Sequence, residues 1–118
     1  MIRVFIFIGC ITFLFSCGGE ERPADILTPE DMVNSLIELY VMEGKVSNIP
    51  ANRDSVLKIF DYMEIRTFEK LGISDTVFKK SYNYYLDRPK ELEEIYTILI
   101  DSLSLREQQE KVGPDSQQ

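Results

Sequence analysis

Cys17 is the residue of this chain whose type and position most clearly indicate a specific chemistry. A cysteine thiolate is a strong nucleophile and can be joined covalently to another molecule. Cys17 ends the segment Leu14-Phe15-Ser16-Cys17, and the small Ser16 suits the position before a signal-peptidase cut. Cys10, the other cysteine, lies inside an apolar run. If that run is removed, Cys17 is the sole cysteine and can form no internal disulfide.

The first 16 residues have the pattern of a secretory signal peptide. Arg3 is their one charged residue, and an apolar run follows over residues 4–15. A membrane-spanning helix needs roughly 20 apolar residues, so this shorter run is better suited to a cleaved leader than to an anchor. We therefore predict that residues 1–16 are a signal peptide.

A Leu three positions before a Cys, with a small residue directly before that Cys, resembles the lipobox of bacterial lipoproteins. The resemblance implies that Cys17 is joined to diacylglycerol, becomes the first residue after cleavage and is acylated at its new amino terminus. Phe15 departs from the pattern, in which that residue is usually smaller. Cleavage before Cys10, which follows Gly9, would leave an apolar stretch on the mature end. An ordinary secreted protein and a short uncleaved anchor are the other interpretations.

The composition excludes several classes of function. Of the 118 residues, 20 are acidic and 13 basic, and the net charge of −7 argues against nucleic acid and anionic headgroups as partners. Histidine is absent, which excludes a His-based triad, an imidazole zinc site and a Glu-x-x-His di-iron bundle. Glu91, Glu93 and Glu94 could in principle perform acid–base work, but nothing marks a nucleophile, a metal or an oxyanion site beside them. An enzyme that acts through carboxylates is therefore only the third interpretation. We therefore predict that the protein is not an enzyme and has no cofactor and no metal site.

The rest of the chain has helical periodicity and no sustained β alternation. We predict an all-α fold, a small bundle of about four helices that follows a cleaved signal peptide and a flexible tether. The predicted regions are the lipidated Cys17 with its tether (17–27), a helical domain (28–107) and a disordered tail (108–118). The predicted helices cover about 29–43, 54–71, the segment from a Ser74 cap to Leu86, and 89–107.

Five residues mark the predicted helix ends. Thr28 is a suitable N-cap, Gly44 is expected to end the first helix, and Gly72 suits the position after the second. Ser74 can cap the third helix, and Pro89 suits the first turn of the fourth.

The sequence from Gly72 to Tyr96 also contains a motif that resembles a known family. This motif consists of a Gly-Ile-Ser turn, a Phe, a Ser before a Tyr-Tyr pair, a Pro and a helix with Leu and Ile-Tyr. The positions are Gly72, Ile73, Ser74, Phe78, Ser81, Tyr84, Tyr85, Pro89, Leu92, Ile95 and Tyr96, with Leu27, Pro29, Met32, Leu36 and Leu39 in the first helix. Over roughly residues 24–106 the chain resembles a family of small Bacteroidota lipoproteins, catalogued as domain of unknown function 4296. The resemblance implies a lipoprotein with a helical domain and no assigned activity.

Three tyrosines form the densest aromatic group of the sequence. Tyr82 and Tyr85 share the helical face of Phe78, so we expect them in the core with their hydroxyls at its rim. Tyr84 lies on another side of the helix and is a candidate anchor for a partner protein.

Ile98 and Leu105 lie seven residues apart on the fourth helix, away from its main apolar face. Packing against the first helix is the favoured interpretation, and an exposed strip that binds a partner is the alternative. Glu38 and Glu43 of the first helix are expected on a solvated face.

These features predict a lipid-anchored module of the bacterial cell envelope that binds a protein partner. We expect it at the outer membrane, facing the periplasm or the cell surface. Glu20 and Glu21 resemble the surface-export signal of Bacteroidota lipoproteins, with a solvated linker as the alternative. A periplasmic chaperone-like or foldase-accessory module is the alternative function, because the helix order loosely resembles regions that flank prolyl isomerase foldases.

Overall fold

The computed structural model describes residues 21–113 of the chain. They form four helices: α1 (Pro29–Ser47), α2 (Arg53–Leu71), α3 (Asp75–Leu86) and α4 (Pro89–Lys111). No strand occurs within residues 21–113, and the predicted all-α fold of four helices is confirmed. The predicted signal peptide, Cys17, the beginning of the tether and residues 114–118 lie outside the described residues.

Polar side chains cap the first three helices at their N-termini. Thr28, Asn52 and Ser74 each accept a hydrogen bond from the backbone amide three residues ahead, at 2.9 to 3.1 Å. These bonds satisfy amides that have no partner within the helix. The predicted caps Thr28 and Ser74 are confirmed, and α2 begins at Arg53, one residue earlier than predicted.

Gly72 ends α2 as predicted. Its φ of 69° lies in the left-handed region, and its amide donates to the Glu69 carbonyl at 3.1 Å. The next amide, that of Ile73, donates to the Phe68 carbonyl at 3.2 Å. Together these bonds form a Schellman motif, in which glycine is favoured because it has no Cβ to strain.

The predicted end of α1 at Gly44 is wrong, because the helix continues to Ser47. A glycine within a helix costs about 1 kcal/mol relative to alanine. Met42 and Val46, on either side of Gly44, are both buried. Their packing offsets that cost and keeps the last turn helical.

The fourth helix also ends later than predicted. It runs to Lys111 rather than to about Glu107, so the first residues assigned to the tail are helical. The Lys111 ammonium bonds the Glu107 carboxylate at 2.7 Å, one turn earlier. An ion pair with this spacing stabilises a helix by a few tenths of a kcal/mol.

α1 is the central helix and packs against each of the other three. The main core combines its buried face with one side chain of α3, two of α4 and Ile26. The buried members are Ile26, Met32, Val33, Leu36, Ile37, Tyr85, Ile95 and Leu99. α2 lies at the edge of this arrangement, with only Thr67 and Phe68 of its residues buried. Leu57 and Tyr40, which lie within the apolar stripes of their helices, are exposed.

Residues 23–27 form an N-terminal strap that packs on α3. Ile26 is buried, and the Leu27 amide donates to the Ser81 hydroxyl at 2.9 Å. The Tyr85 hydroxyl donates to the Leu27 carbonyl at 2.7 Å, and Lys80 pairs with Asp25. The tether prediction is therefore wrong for residues 23–27, because apolar burial and two backbone hydrogen bonds hold them against the domain.

Candidate functional site

A cavity with a volume of about 280 Å³ lies between the four helices, and we call it the tyrosine cavity. Its apolar wall includes Leu39 of α1, Phe60 of α2 and Phe78 of α3. Its polar lining residues are Tyr40, Glu43, Glu64, Tyr82 and Tyr96. Each of the four helices therefore contributes to one surface, which combines aromatic rings with two carboxylates.

The hydroxyls of Tyr82 and Tyr96 share a hydrogen bond of 2.9 Å within this lining. The hydrogen bond with Tyr82 and, to a smaller extent, burial raise the pKa of Tyr96 from 10.0 to about 12. The Tyr96 phenol is consequently neutral at physiological pH. Such a pair uses one of its two hydroxyl protons internally and keeps oxygen lone pairs that can accept hydrogen bonds.

Glu64 is half-buried at the tyrosine cavity without an ion pair in the described part of the chain. Glu38, the other half-buried acid, pairs with Lys70 of α2 at 2.8 Å and with Arg106 of α4 at 3.6 Å. The hydrogen bond from Lys70 lowers the pKa of Glu38, and burial opposes the shift. The expectation of a solvated face is wrong for Glu38, which links three helices. Glu43, on the same helix, is exposed as expected.

The tyrosine cavity was not predicted, although the sequence contains one signal for it. Glu64 lies four residues after Phe60 and four before Phe68, so the three side chains share one face of α2. An acid in an apolar row is unusual, because burying a carboxylate without a partner is unfavourable. The pairing of Tyr82 with Tyr96 depends on how α3 packs against α4 and has no comparable local signal.

The predicted core role of Tyr82 and Tyr85 is confirmed. Tyr85 is fully buried, and its hydroxyl binds the N-terminal strap. Burial raises the pKa of Tyr85 above its usual value. Tyr82 is half-buried, with its hydroxyl bonded to Tyr96.

Tyr84, the candidate partner anchor, is covered on one face by Arg88. The guanidinium carbon lies 3.7 Å from the ring centre, which is a cation–π contact. The Tyr84 and Tyr85 rings are nearly perpendicular, with their centroids 5.2 Å apart. Tyr84 is half-buried and therefore presents less free surface than an exposed anchor would.

Ile98 and Leu105 are exposed to 53% and 59%, respectively. The favoured interpretation, that they pack against the first helix, is therefore wrong. Their separation of seven residues corresponds to two helical turns, or about 10 Å along one side of α4. Their exposure agrees with the alternative of an apolar strip.

Neither a cluster of metal-ligating side chains nor a membrane-spanning helix is found within residues 21–113. In this part of the chain, no three or more Cys, Asp or Glu side chains come together as a metal site would require. No helix between these same bounds is long and apolar enough to cross a membrane. Cys17, the predicted lipid attachment site, precedes the described residues.

Several positions of the sequence pattern have structural roles. Gly72 supplies a left-handed turn, Ser74 caps α3, and Ser81 and Tyr85 hold the N-terminal strap. The family described as domain of unknown function (DUF4296) matches residues 23–109, which include the strap and most of the four helices. The chain belongs to this family. Its DUF4296 domain therefore begins at the strap, before the predicted domain start at residue 28. The comparisons with curated proteins and with solved structures give no match.

Proposed function

We propose that this DUF4296 protein is a lipid-anchored module of the bacterial cell envelope that binds a protein partner. The observation that carries the proposal is the exposure of Ile98 and Leu105 on one side of α4. A contiguous exposed apolar patch is typical of an interaction surface. A partner that covered both would remove their apolar area from water.

The lipid anchor at Cys17 is supported by the sequence that precedes it, and the position of the strap limits how far the domain can lie from that anchor. Because the strap begins at Pro23, only residues 18–22 separate it from Cys17. Fully extended, they reach about 18 Å at most. Two or more acyl chains, at about 0.8 kcal/mol per buried methylene, would anchor the protein stably. The DUF4296 domain would then be held close to the membrane surface, at the outer membrane of the envelope.

Site-specific photo-crosslinking in intact cells tests the partner. The photoreactive residue p-benzoylphenylalanine would replace Leu105, and in a matched control it would replace the adjacent Ser104, which is also exposed. The two positions differ by about 100° around the helix. We expect a discrete crosslinked protein from position 105 and a much weaker one from position 104. Equal products at both positions, or no protein product, would contradict the proposal.

A chaperone-like module is the second candidate, and one feature of α2 favours it. Leu57, Tyr62 and Ile65 are exposed on this sparsely packed helix and could contact an unfolded client. Suppression of client aggregation by the purified chain tests this candidate, with Leu57→Ser and Ile65→Ser combined as the variant. Suppression should be lost in the variant if α2 binds the client. No suppression by the wild type would exclude this function for the client tested.

A further inference from the structure

The tyrosine cavity is large enough to admit one side chain of another protein. Pockets for drug-sized ligands usually have about 300–1,000 Å³. The tyrosine cavity, at about 280 Å³, lies just below that range and is open to solvent. One projecting side chain of another protein could enter it from outside.

The lining has the composition that a long cationic side chain requires. Leu39 and Phe60 offer apolar surface to a methylene stem. Tyr40 lines the cavity and is exposed at 47%, and the face of an aromatic ring attracts cations electrostatically. The Tyr82 and Tyr96 hydroxyls, already 2.9 Å apart, offer oxygen lone pairs.

The charge of the lining is negative and unneutralised by neighbouring side chains. Neither the Glu43 nor the Glu64 carboxylate forms an ion pair or hydrogen bond with another residue of the described segment. Lys79 is close enough for Glu64 to affect it, but its ammonium bonds Asp75 at 2.8 Å. Glu38, in contrast, has two cationic partners. A cation from outside would give half-buried Glu64 the counter-charge that it lacks.

From this geometry we infer that the tyrosine cavity binds a lysine side chain of a partner protein, with the ammonium at Glu43 and Glu64 and the stem along the apolar wall. The inference rests on the proposed function, because it names the chemistry of the partner. Lysine is preferred over arginine because the acceptors belong to separate helices. They suit three rotatable ammonium donors better than a planar guanidinium fork.

Carbodiimide crosslinking in intact envelopes tests the contact directly. This reagent joins a carboxylate to a primary amine in contact with it as an amide, with net loss of water, and it does not join arginine. We expect mass spectrometry to find Glu64 or Glu43 of the full chain linked to a lysine of another protein.

Two aromatic variants separate recognition from the coupling chemistry, because both keep the two carboxylates. Tyr40→Ala removes a ring from the lining, and we expect the amount of this crosslink to fall about threefold or more. Tyr62→Ala is the matched control, since Tyr62 is exposed on α2 outside the cavity, and it should leave the yield unchanged. Unchanged thermal unfolding of both variants would establish that they fold.

The alternative results are distinguishable. Partner crosslinks that arise only at other acids, or equal yields from Tyr40→Ala and wild type, would overturn the lysine site and leave the proposed function standing. Links to a lysine of a second, isotope-labelled copy of this chain would replace the partner with self-association. If carbodiimide links no protein to Glu43 or Glu64, and the photoreactive residue at position 105 captures none, the proposed function also fails.

Discussion

The Tyr85 hydroxyl donates a 2.7 Å hydrogen bond to the Leu27 carbonyl, joining residues 58 positions apart in the chain. Ser81 accepts the amide hydrogen bond of the same leucine at 2.9 Å. Two side chains of α3 thus satisfy both backbone groups of the residue where the N-terminal strap meets α1. The strap is therefore part of the domain.

The Tyr85 hydroxyl should contribute measurably to the free energy of unfolding. Tyr85→Phe removes the donor and leaves a backbone carbonyl without its partner, so we expect a loss of about 1 to 2 kcal/mol. Urea unfolding followed by circular dichroism measures this loss. Tyr62→Phe, at a position 60% exposed, is the control and should stay within about 0.5 kcal/mol of wild type. Equal effects of the two substitutions would contradict the role of the Tyr85 bond.

Replacement of Gly72 and of Gly44 by alanine should change the free energy of unfolding in opposite directions. Gly72→Ala places a Cβ at a φ of +69° and should cost about 1 kcal/mol. Gly44→Ala lies in the helical region of α1 and should stabilise by up to about 1 kcal/mol. The new Cβ would meet no neighbour within 4 Å at either site, so backbone conformation alone decides the sign. Thermal unfolding of both variants measures the two changes, and changes of the same sign would contradict this interpretation.

The contribution of Glu38 to stability should depend on pH. Its pKa is lowered in the folded state by the hydrogen bond from Lys70, so the contribution is present above the unfolded value of 4.5 and is lost as pH falls through the folded value. Glu38→Gln should therefore cost about 1 kcal/mol at pH 7 and much less at pH 3. Urea unfolding at both pH values measures the difference. A cost that does not change with pH would show that charge pairing is not the cause.

The tyrosine pair should produce a pH dependence of stability at high pH. The pKa of Tyr96 is raised from 10.0 to about 12 in the folded state. The stabilisation that this phenol gives to the folded state is therefore complete below pH 10 and is lost as pH rises toward 12. In Tyr82→Phe the hydrogen bond is absent, and the pKa of Tyr96 should fall toward its usual value. Phenolate absorbance during a pH titration, with Tyr96→Phe to assign the signal, measures the change. An unchanged titration in Tyr82→Phe would contradict the assigned cause.

Local signals in the sequence were sufficient to predict the helices and most of their ends. Thr28, Ser74 and Gly72 act through neighbouring backbone groups, so their roles could be predicted without knowledge of the packing. Gly44 could not be interpreted in this way, because helix continuation there depends on tertiary burial of the flanking side chains. The packing of residues 23–27 also depends on tertiary contacts, because their partners on α3 lie more than 50 positions away in the chain. These residues were therefore assigned to the tether.

The candidate site was harder to predict than the fold. Tyr40 and Leu57 belong to apolar stripes but are exposed, because α2 is covered mainly by α1 and leaves its other sides open. The tyrosine cavity lies where the sparsely packed α2 adjoins α3 and α4. Its hydroxyl pair and half-buried Glu64 are consequences of tertiary arrangement. Of these features, only the Phe60, Glu64 and Phe68 spacing was visible in the sequence.

We propose that Cys17 holds this domain at a membrane. Metabolic labelling with a palmitate analogue, combined with membrane fractionation, tests it most directly when the wild type is compared with Cys17→Ala. Cys10→Ala is the matched control for the rival cysteine. We predict that Cys17→Ala loses both the label and the membrane association, whereas wild type and Cys10→Ala keep both. Retention of label and membrane association by Cys17→Ala would show that Cys17 is not the lipid attachment site.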